Sequence, residues 1–142
     1  VADAGLKPRV VATDLQPGLG PLGGIATALR SAKHSRVLFL GCDMPFMTGE
    51  LIKEFLSAAT DGIGPIFTRH KKGVGFPFVL RRSDLVLVGK QMDCGALSLQ
   101  RLAKRLKARE WQPPASQVSE LFNINTPADL AEAKRRLKVA GC

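Results

Sequence analysis

The segment that most constrains this chain is Val37-Leu-Phe-Leu-Gly-Cys-Asp-Met-Pro45, where an apolar strand, Val37 to Leu40, passes into a carboxylate, Asp43, and then a proline. A buried strand that ends on an acid delivers that acid to the rim of a sheet. In an open α/β sheet, ligands bind in the crevice beyond the carboxyl ends of the strands, so Asp43 stands in a ligand position. Magnesium takes one or two carboxylates plus phosphate oxygens, which makes Asp43 a candidate magnesium ligand facing a nucleotide. A turn or a helix cap is the other use of an aspartate here.

A second segment repeats the design. Arg9-Val-Val-Ala-Thr13 is a short β-branched strand that ends on Asp14 and is followed by a loop, Leu15 to Gly20. Pro21 then opens a helix where its missing N–H costs nothing, and Leu22, Ile25, Ala26 and Leu29 supply a buried stripe. Gly18 to Gly24 reads as a glycine-rich loop entering a helix N-terminus, where backbone N–H groups meet an anion or a flat base approaches closely; tight helix packing is the alternative. Thr48 caps the next helix, which carries Leu51, Ile52, Phe55, Leu56 and Ala59 on one face and ends at Asp61-Gly62. Strand, helix, strand, helix implies a parallel sheet.

Two further apolar segments, Pro65 to Thr68 and Phe76 to Leu80, flank a basic connection of Arg69, His70, Lys71 and Lys72. That connection is either a cover for an anionic substrate or a solvated, hairpin-like turn. Ser83 to Val88 is ambiguous between helix and strand. Val118 to Phe122 predicts a strand, after which Asn123-Ile-Asn-Thr-Pro-Ala-Asp-Leu130 switches the chain into a last helix, with Thr126 as N-cap, Pro127 in the first turn and Asp129 as the reciprocal capping carboxylate. Asn123 and Asn125 alternate at the strand exit, which turns both side chains the same way, as in a polar pocket wall. Ligand or metal contact and turn chemistry both account for them.

Composition bounds the rest. With 142 residues and 45% apolar content, the chain can bury one good core, so residues 1–142 are expected to be a single domain. No apolar run approaches the roughly 20 residues of a membrane span, and the start lacks the pattern of a signal peptide, so a soluble, cytoplasmic protein is expected. Cys42, Cys94 and Cys142 fit neither a disulfide framework nor a zinc site, and Cys42 is read as a small buried side chain. His34 and His70 have no metal-ligand spacing and read as surface residues. The net charge of +9 concentrates in two clusters, Arg101 to Arg109 and Lys134 to Lys138, both on expected helices. In the first, Leu99, Leu102, Ala103 and Leu106 keep an apolar stripe, so the charges occupy the solvated face. A chain with no Tyr and only Trp111 near these charges offers little for bases to stack on, which disfavours nucleic acid.

Four segments, in order, resemble the molybdenum cofactor guanylyltransferases and related nucleotidyltransferases. They are Asp14 with Gly20-Pro-Leu-Gly-Gly-Ile25, then Leu38-Phe-Leu-Gly-Cys-Asp-Met-Pro-Phe46, then Gly75 to Leu80, then Phe122-Asn-Ile-Asn-Thr-Pro-Ala-Asp-Leu130. The resemblance implies a three-layer α/β/α fold with a mostly parallel sheet, like the nucleotide-diphospho-sugar transferases. It implies transfer of GMP from GTP to the phosphate of molybdopterin with release of pyrophosphate, which needs a metal and basic groups to stabilise charge but no side-chain nucleophile. By resemblance, Asp43 is the magnesium-binding and catalytic acid, and Asp14 with Gly20, Pro21, Leu22, Gly23 and Gly24 is the nucleotide-side wall. Asn123 and Asn125 are contacts near the second substrate and the reactive phosphates, and Arg69 and Lys71 are further substrate-binding candidates. Partners implied are GTP or CTP, molybdopterin and cofactor-delivery proteins.

There are departures. Relatives begin with a strand and a Leu-Ala-Gly-Gly loop that grips the triphosphate, so a βαβ unit on the order of 30 residues is missing by comparison. The chain is therefore expected to be N-terminally truncated, to bind nucleoside triphosphate poorly and to leave a sheet edge incompletely covered. Gly41 stands where relatives often have Pro, and Phe76 where they often have His. Asp93-Cys-Gly-Ala96 leans toward cytidylyl transfer with CTP, and Asn-Ile-Asn leans toward guanylyl transfer. A non-catalytic nucleotide-binding or interaction module and a basic nucleic-acid binder are the rival classes.

Overall fold

Residues 18–141 are described by a computed structural model. The strand expected at Arg9 to Thr13, the acid Asp14 and Cys142 lie outside the described residues.

The apolar stripe behind Pro21 folds as helix α1 (Gly20–Ser31), with Leu22, Ile25, Ala26 and Leu29 buried as expected. Strand β1 (Arg36–Phe39) leads through the Asp43 loop to α2 (Gly49–Thr60), whose cap is Thr48, its side chain accepting from Leu51 N at 3.2 Å. Strands β2 (Ile66–His70) and β3 (Gly73–Arg81) form a hairpin around Lys71 and Lys72. A short 3-10 turn at Arg82–Asp84 precedes α3 (Leu85–Asp93), so the ambiguous Ser83 to Val88 stretch is helical. Then follow α4 (Leu99–Arg105), β4 (Arg109–Trp111), a 3-10 helix at Ala115–Leu121 and α5 (Pro127–Ala140).

The four strands order as β1-β3-β2-β4. β3 is antiparallel to both β1 and β2, whereas β2 and β4 are parallel. Three strands thus run one way and β3 runs against them. The sheet is mixed, because the two-residue turn after β2 returns the chain at once beside it, whereas the β1-to-β2 connection passes through α2.

Alternation along the strands assigns the two faces. Phe67, Phe78 and Leu80 pack with α1, α3 and α4, while Ile66 and Val79 pack with Phe55 and Ala59 of α2. Phe78 pairs in register with both Phe39 and Phe67, and its ring stacks on theirs at 4.8 and 4.6 Å. These aromatic pairs tie three strands together on one face.

Two expected elements differ. Val118 to Phe122 is not a strand: Pro113 and Pro114 remove two backbone donors, and the following residues wind into the 3-10 helix that buries Leu121 against Met44 and Leu51. The first basic cluster is not wholly helical, since α4 stops before Lys107. Lys107 has φ +49, with Lys107 N bonded to Lys104 O and Ala108 N to Ala103 O, a Schellman ending that releases Arg109 into β4.

The capping box of α5 forms as expected: Thr126 Oγ1 accepts from Asp129 N at 3.1 Å and Asp129 Oδ2 accepts from Thr126 N at 2.8 Å. The hydrogen bond to Thr126 holds the Asp129 carboxyl below its usual range. A depressed acid stabilises above its unfolded pKa and loses that contribution as pH falls through the folded value. Acid titration of α5 helicity is therefore expected to show a loss below the usual carboxylate range in the native chain that is smaller in Asp129→Asn, where Glu132 remains the depressed acid of the helix. In the core, Phe78→Ala is expected to cost about 3–5 kcal/mol in urea unfolding, whereas Val86→Ala, on an exposed position, stays within about 0.5 kcal/mol.

Candidate functional site

Asp43 lies four residues beyond β1, at the carboxyl end of that strand, as the sequence pattern places it. Its loop is closed from the other end of the chain: Ile124 N donates to Asp43 O at 2.8 Å. Thr48, which caps α2, also donates through N and Oγ1 to Glu120 Oε2 at 3.1 and 2.5 Å. Two segments about 80 residues apart in sequence are therefore held side by side.

Gly41 sets the position of the acid. A Cβ built there would meet Asp43 Oδ1 at 2.7 Å, Met44 Sδ at 3.3 Å and Phe76 at 3.4 Å. The carboxylate folds back over a backbone that only glycine leaves open.

Asp43, Asn123, Arg69 and Lys71 come together on one cleft of about 1120 Å³, joined by Lys72 and Arg136. This volume is just above the roughly 300–1,000 Å³ usual for one drug-sized ligand. Asn123 Oδ1 is buried with no hydrogen-bond partner. A buried acceptor left unpaired is costly, and a ligand or ion entering the cleft would relieve it.

Other expected residues part company with the cleft. Asn125 is exposed and outside its lining; its N–H donates to Asp129 Oδ2 at 3.0 Å, which is turn chemistry. The absence of a strand at Val118 to Phe122 removes the alternation that would have aligned the two asparagines. Gly20, Pro21, Leu22, Gly23 and Gly24 form the first turns of α1 rather than a loop, and none lines this cleft. Arg69 is already paired with Glu110 at 2.6 Å, because β2 and β4 lie side by side. Cys42 is exposed, not buried, since it sits in the loop beyond the end of β1. The Asp93-Cys-Gly-Ala96 stretch ends α3: Gly95 has φ +66, and Ala96 N bonds Gln91 O at 3.2 Å, which gives this run a structural role away from the cleft.

Several functional candidates escaped the sequence. His70 is half-buried rather than superficial, with Nε2 2.8 Å from Phe76 O. Gln100 clamps the outer edge of the hairpin, accepting from Val74 N at 2.8 Å and donating to Val74 O at 2.6 Å. A Cβ at Gly73, where φ is +129, would overlap Gln100. Arg136 was hidden in a basic run; the only signal available was Glu132 four residues before it. Arg136 Nε donates to Glu132 Oε1 at 2.7 Å, and Arg136 first and Arg135 second hold the Glu132 carboxyl below its usual range.

A second cavity, about 830 Å³, lies at the opposite ends of β1 and β2, beside Arg36, Gly64 and Arg81. Two of its four Lys and Arg side chains are committed: Arg36 donates to Ala59 O and Arg81 pairs with the buried Asp84 at 2.9 Å. Among the described residues no cluster of three or more His, Cys, Asp or Glu side chains is placed to hold a metal, and no helix is long and apolar enough to cross a membrane.

The MobA-like NTP transferase domain matches residues 3–110. Among curated proteins, the chain is 30% identical over 132 residues to a probable molybdenum cofactor guanylyltransferase of Carboxydothermus hydrogenoformans, covering 82% of this chain and 61% of that one. It is 27% identical over 135 residues to a molybdenum cofactor guanylyltransferase of Desulfosudis oleivorans, covering 91% and 67%. Among solved structures, molybdopterin-guanine dinucleotide biosynthesis protein A of Archaeoglobus fulgidus superposes with a TM-score of 0.74 at 22% identity, over 88% of this chain and 66% of that one, which is a likeness of fold. The chain thus spans about three fifths to two thirds of the length of the relatives it matches.

Gly41→Ala is expected to displace the Asp43 carboxylate without unfolding the sheet, since the group in its way is the end of a side chain. In an amide NMR spectrum the shifts would concentrate at residues 41–44 and at Ile124; shifts spread evenly over β1 to β4 would contradict this.

Proposed function

Because the chain belongs to the MobA-like NTP transferase family, we propose that it serves guanylyl transfer, moving GMP from GTP to the phosphate of molybdopterin or the molybdenum cofactor with release of pyrophosphate. The observation that carries this reading is the convergence of Asp43 and the orphaned Asn123 Oδ1 on one basic cleft. The printed names of the relatives, molybdenum cofactor guanylyltransferases, supply the substrates. The clearest pointer toward CTP, the run after Asp93, is accounted for by the end of α3.

The donor set fits magnesium: one carboxylate and one amide oxygen, both hard, with too few protein acids for a closed cage. Asp43 and Asn123 would hold the ion, and when bound it would neutralise charge on the phosphate oxygens. Lys71 and Lys72 offer ammonium groups to the departing pyrophosphate. An oxygen of the acceptor's phosphate forms a bond to the α-phosphorus of GTP, and the bond from that phosphorus to the bridging oxygen breaks, its electrons leaving on pyrophosphate. No protein nucleophile takes part, and the work of the chain is to orient two anions that repel each other.

Asp43→Asn is the test. It is expected to lower magnesium-dependent pyrophosphate release from GTP and molybdopterin by at least about a hundredfold, while Val86→Ala leaves the rate unchanged. Pyrophosphate release at the native rate by the Asp43→Asn protein would overturn the assignment of Asp43.

A further inference from the structure

The geometry points to Arg136 as the ligand of a phosphate monoester, the terminal phosphate of the acceptor substrate. This rests on the guanylyl-transfer reading and adds the residue that receives the second anion. Arg136 lines the cleft beside Phe122 and Asn123. Its guanidinium lies 4.3 Å from the centroid of the Phe122 ring and 5.8 Å from that of Phe46, two rings themselves 5.9 Å apart. Nε is taken by Glu132 at 2.7 Å. Among the described residues Nη1 and Nη2 have no hydrogen-bond partner, so the outer edge of the group is unspent.

An arginine held at Nε and stacked on an aromatic face keeps its plane fixed, and the two free terminal nitrogens then match two oxygens of one phosphate. The other cations of the cleft differ. Arg69 is paired with Glu110, and Lys71 and Lys72 are point charges on flexible stems at the hairpin tip. Mobile ammonium groups suit an extended polyphosphate, whereas a single fixed fork suits a terminal phosphate with its oxygens exposed. Joining two phosphates requires each to be neutralised by its own group, and these cations come from two separate elements, the β2–β3 hairpin and α5. Glu132 acts through Arg136 and is a positioning residue.

The test uses phenyl phosphate as the monoester probe, titrated into the chain and followed by phosphorus NMR, with GTP and magnesium titrated separately. The native chain is expected to bind phenyl phosphate. Arg136→Gln is expected to weaken that binding by about tenfold or more, and Arg136→Lys to restore only part of it, because the charge returns without the fork. Glu132→Gln should weaken it severalfold while the overall fold, read from amide shifts, is kept. Lys138→Gln, an equal change of net charge outside the cleft lining, should leave it unchanged. Failure of the native chain to bind phenyl phosphate, equal binding by Arg136→Gln, or an equal loss in Lys138→Gln would each overturn the proposal. Phenyl phosphate binding that depends on Arg136, in a chain that shows no GTP binding even at saturating magnesium and the highest soluble nucleotide concentration, would leave the phosphate site standing and sink the guanylyl-transfer reading instead.

Discussion

The pairing of β3 with β1 on one side and β2 on the other is the constraint on which the rest depends. Phe78 sits in register with Phe39 and Phe67, and its ring stacks between theirs. Because β3 runs against its neighbours, β1 and β2 run the same way and end at the same rim. That brings the Asp43 loop and the basic hairpin to one cleft, although they leave the sheet through different connections. The α-helices then cover the two faces by simple alternation, α1, α3 and α4 on one side and α2 on the other.

The rim becomes a site through a contact of a different kind. The backbone bond from Ile124 to Asp43, together with the grip of Glu120 on Thr48, fastens the segment before α5 against the acid loop. Asn123 is thereby buried at its oxygen and left without a partner, and Arg136, one helical stretch later, faces the same space. The negative acid and the positive rim are complementary to a metal-bound polyphosphate, and neither alone would be.

Much of this was legible in the sequence where a local rule decides the outcome. Thr48, Pro21, Thr126 and Asp129 act within one turn of themselves, and the stripe of α1 and the buried Leu51, Phe55 and Ala59 of α2 follow from helical period, whereas Leu56, expected on the same face of α2, is exposed. Asp43 at a strand exit was readable because strand and acid are contiguous. What was not legible depends on neighbours far along the chain. The direction of β3 is settled by a two-residue turn, and Val118 to Phe122 has strand-forming residues but follows Pro113 and Pro114 and winds into a 3-10 helix that packs Leu121 on Met44 and Leu51. Asn123 and Asn125 look equivalent in sequence, yet Asp129 claims the backbone of one and the cleft receives the other. Arg136 looked like one more solvated charge, since nothing in a basic run announces that Phe46 and Phe122 will lie beneath it.

The central claim is that a metal-bound nucleotide sits between the Asp43 loop and the Asn123 segment. The most direct measurement is paramagnetic broadening of amide resonances with manganese in place of magnesium, recorded with and without GTP. The account predicts strong broadening at residues 41–43 and 123–124 that requires both metal and nucleotide, with little effect at Lys33 to Arg36 and at Arg82, at the far ends of the strands. Broadening centred on Lys33 to Arg36 and Arg82 instead, or the same broadening by metal without nucleotide, would contradict it.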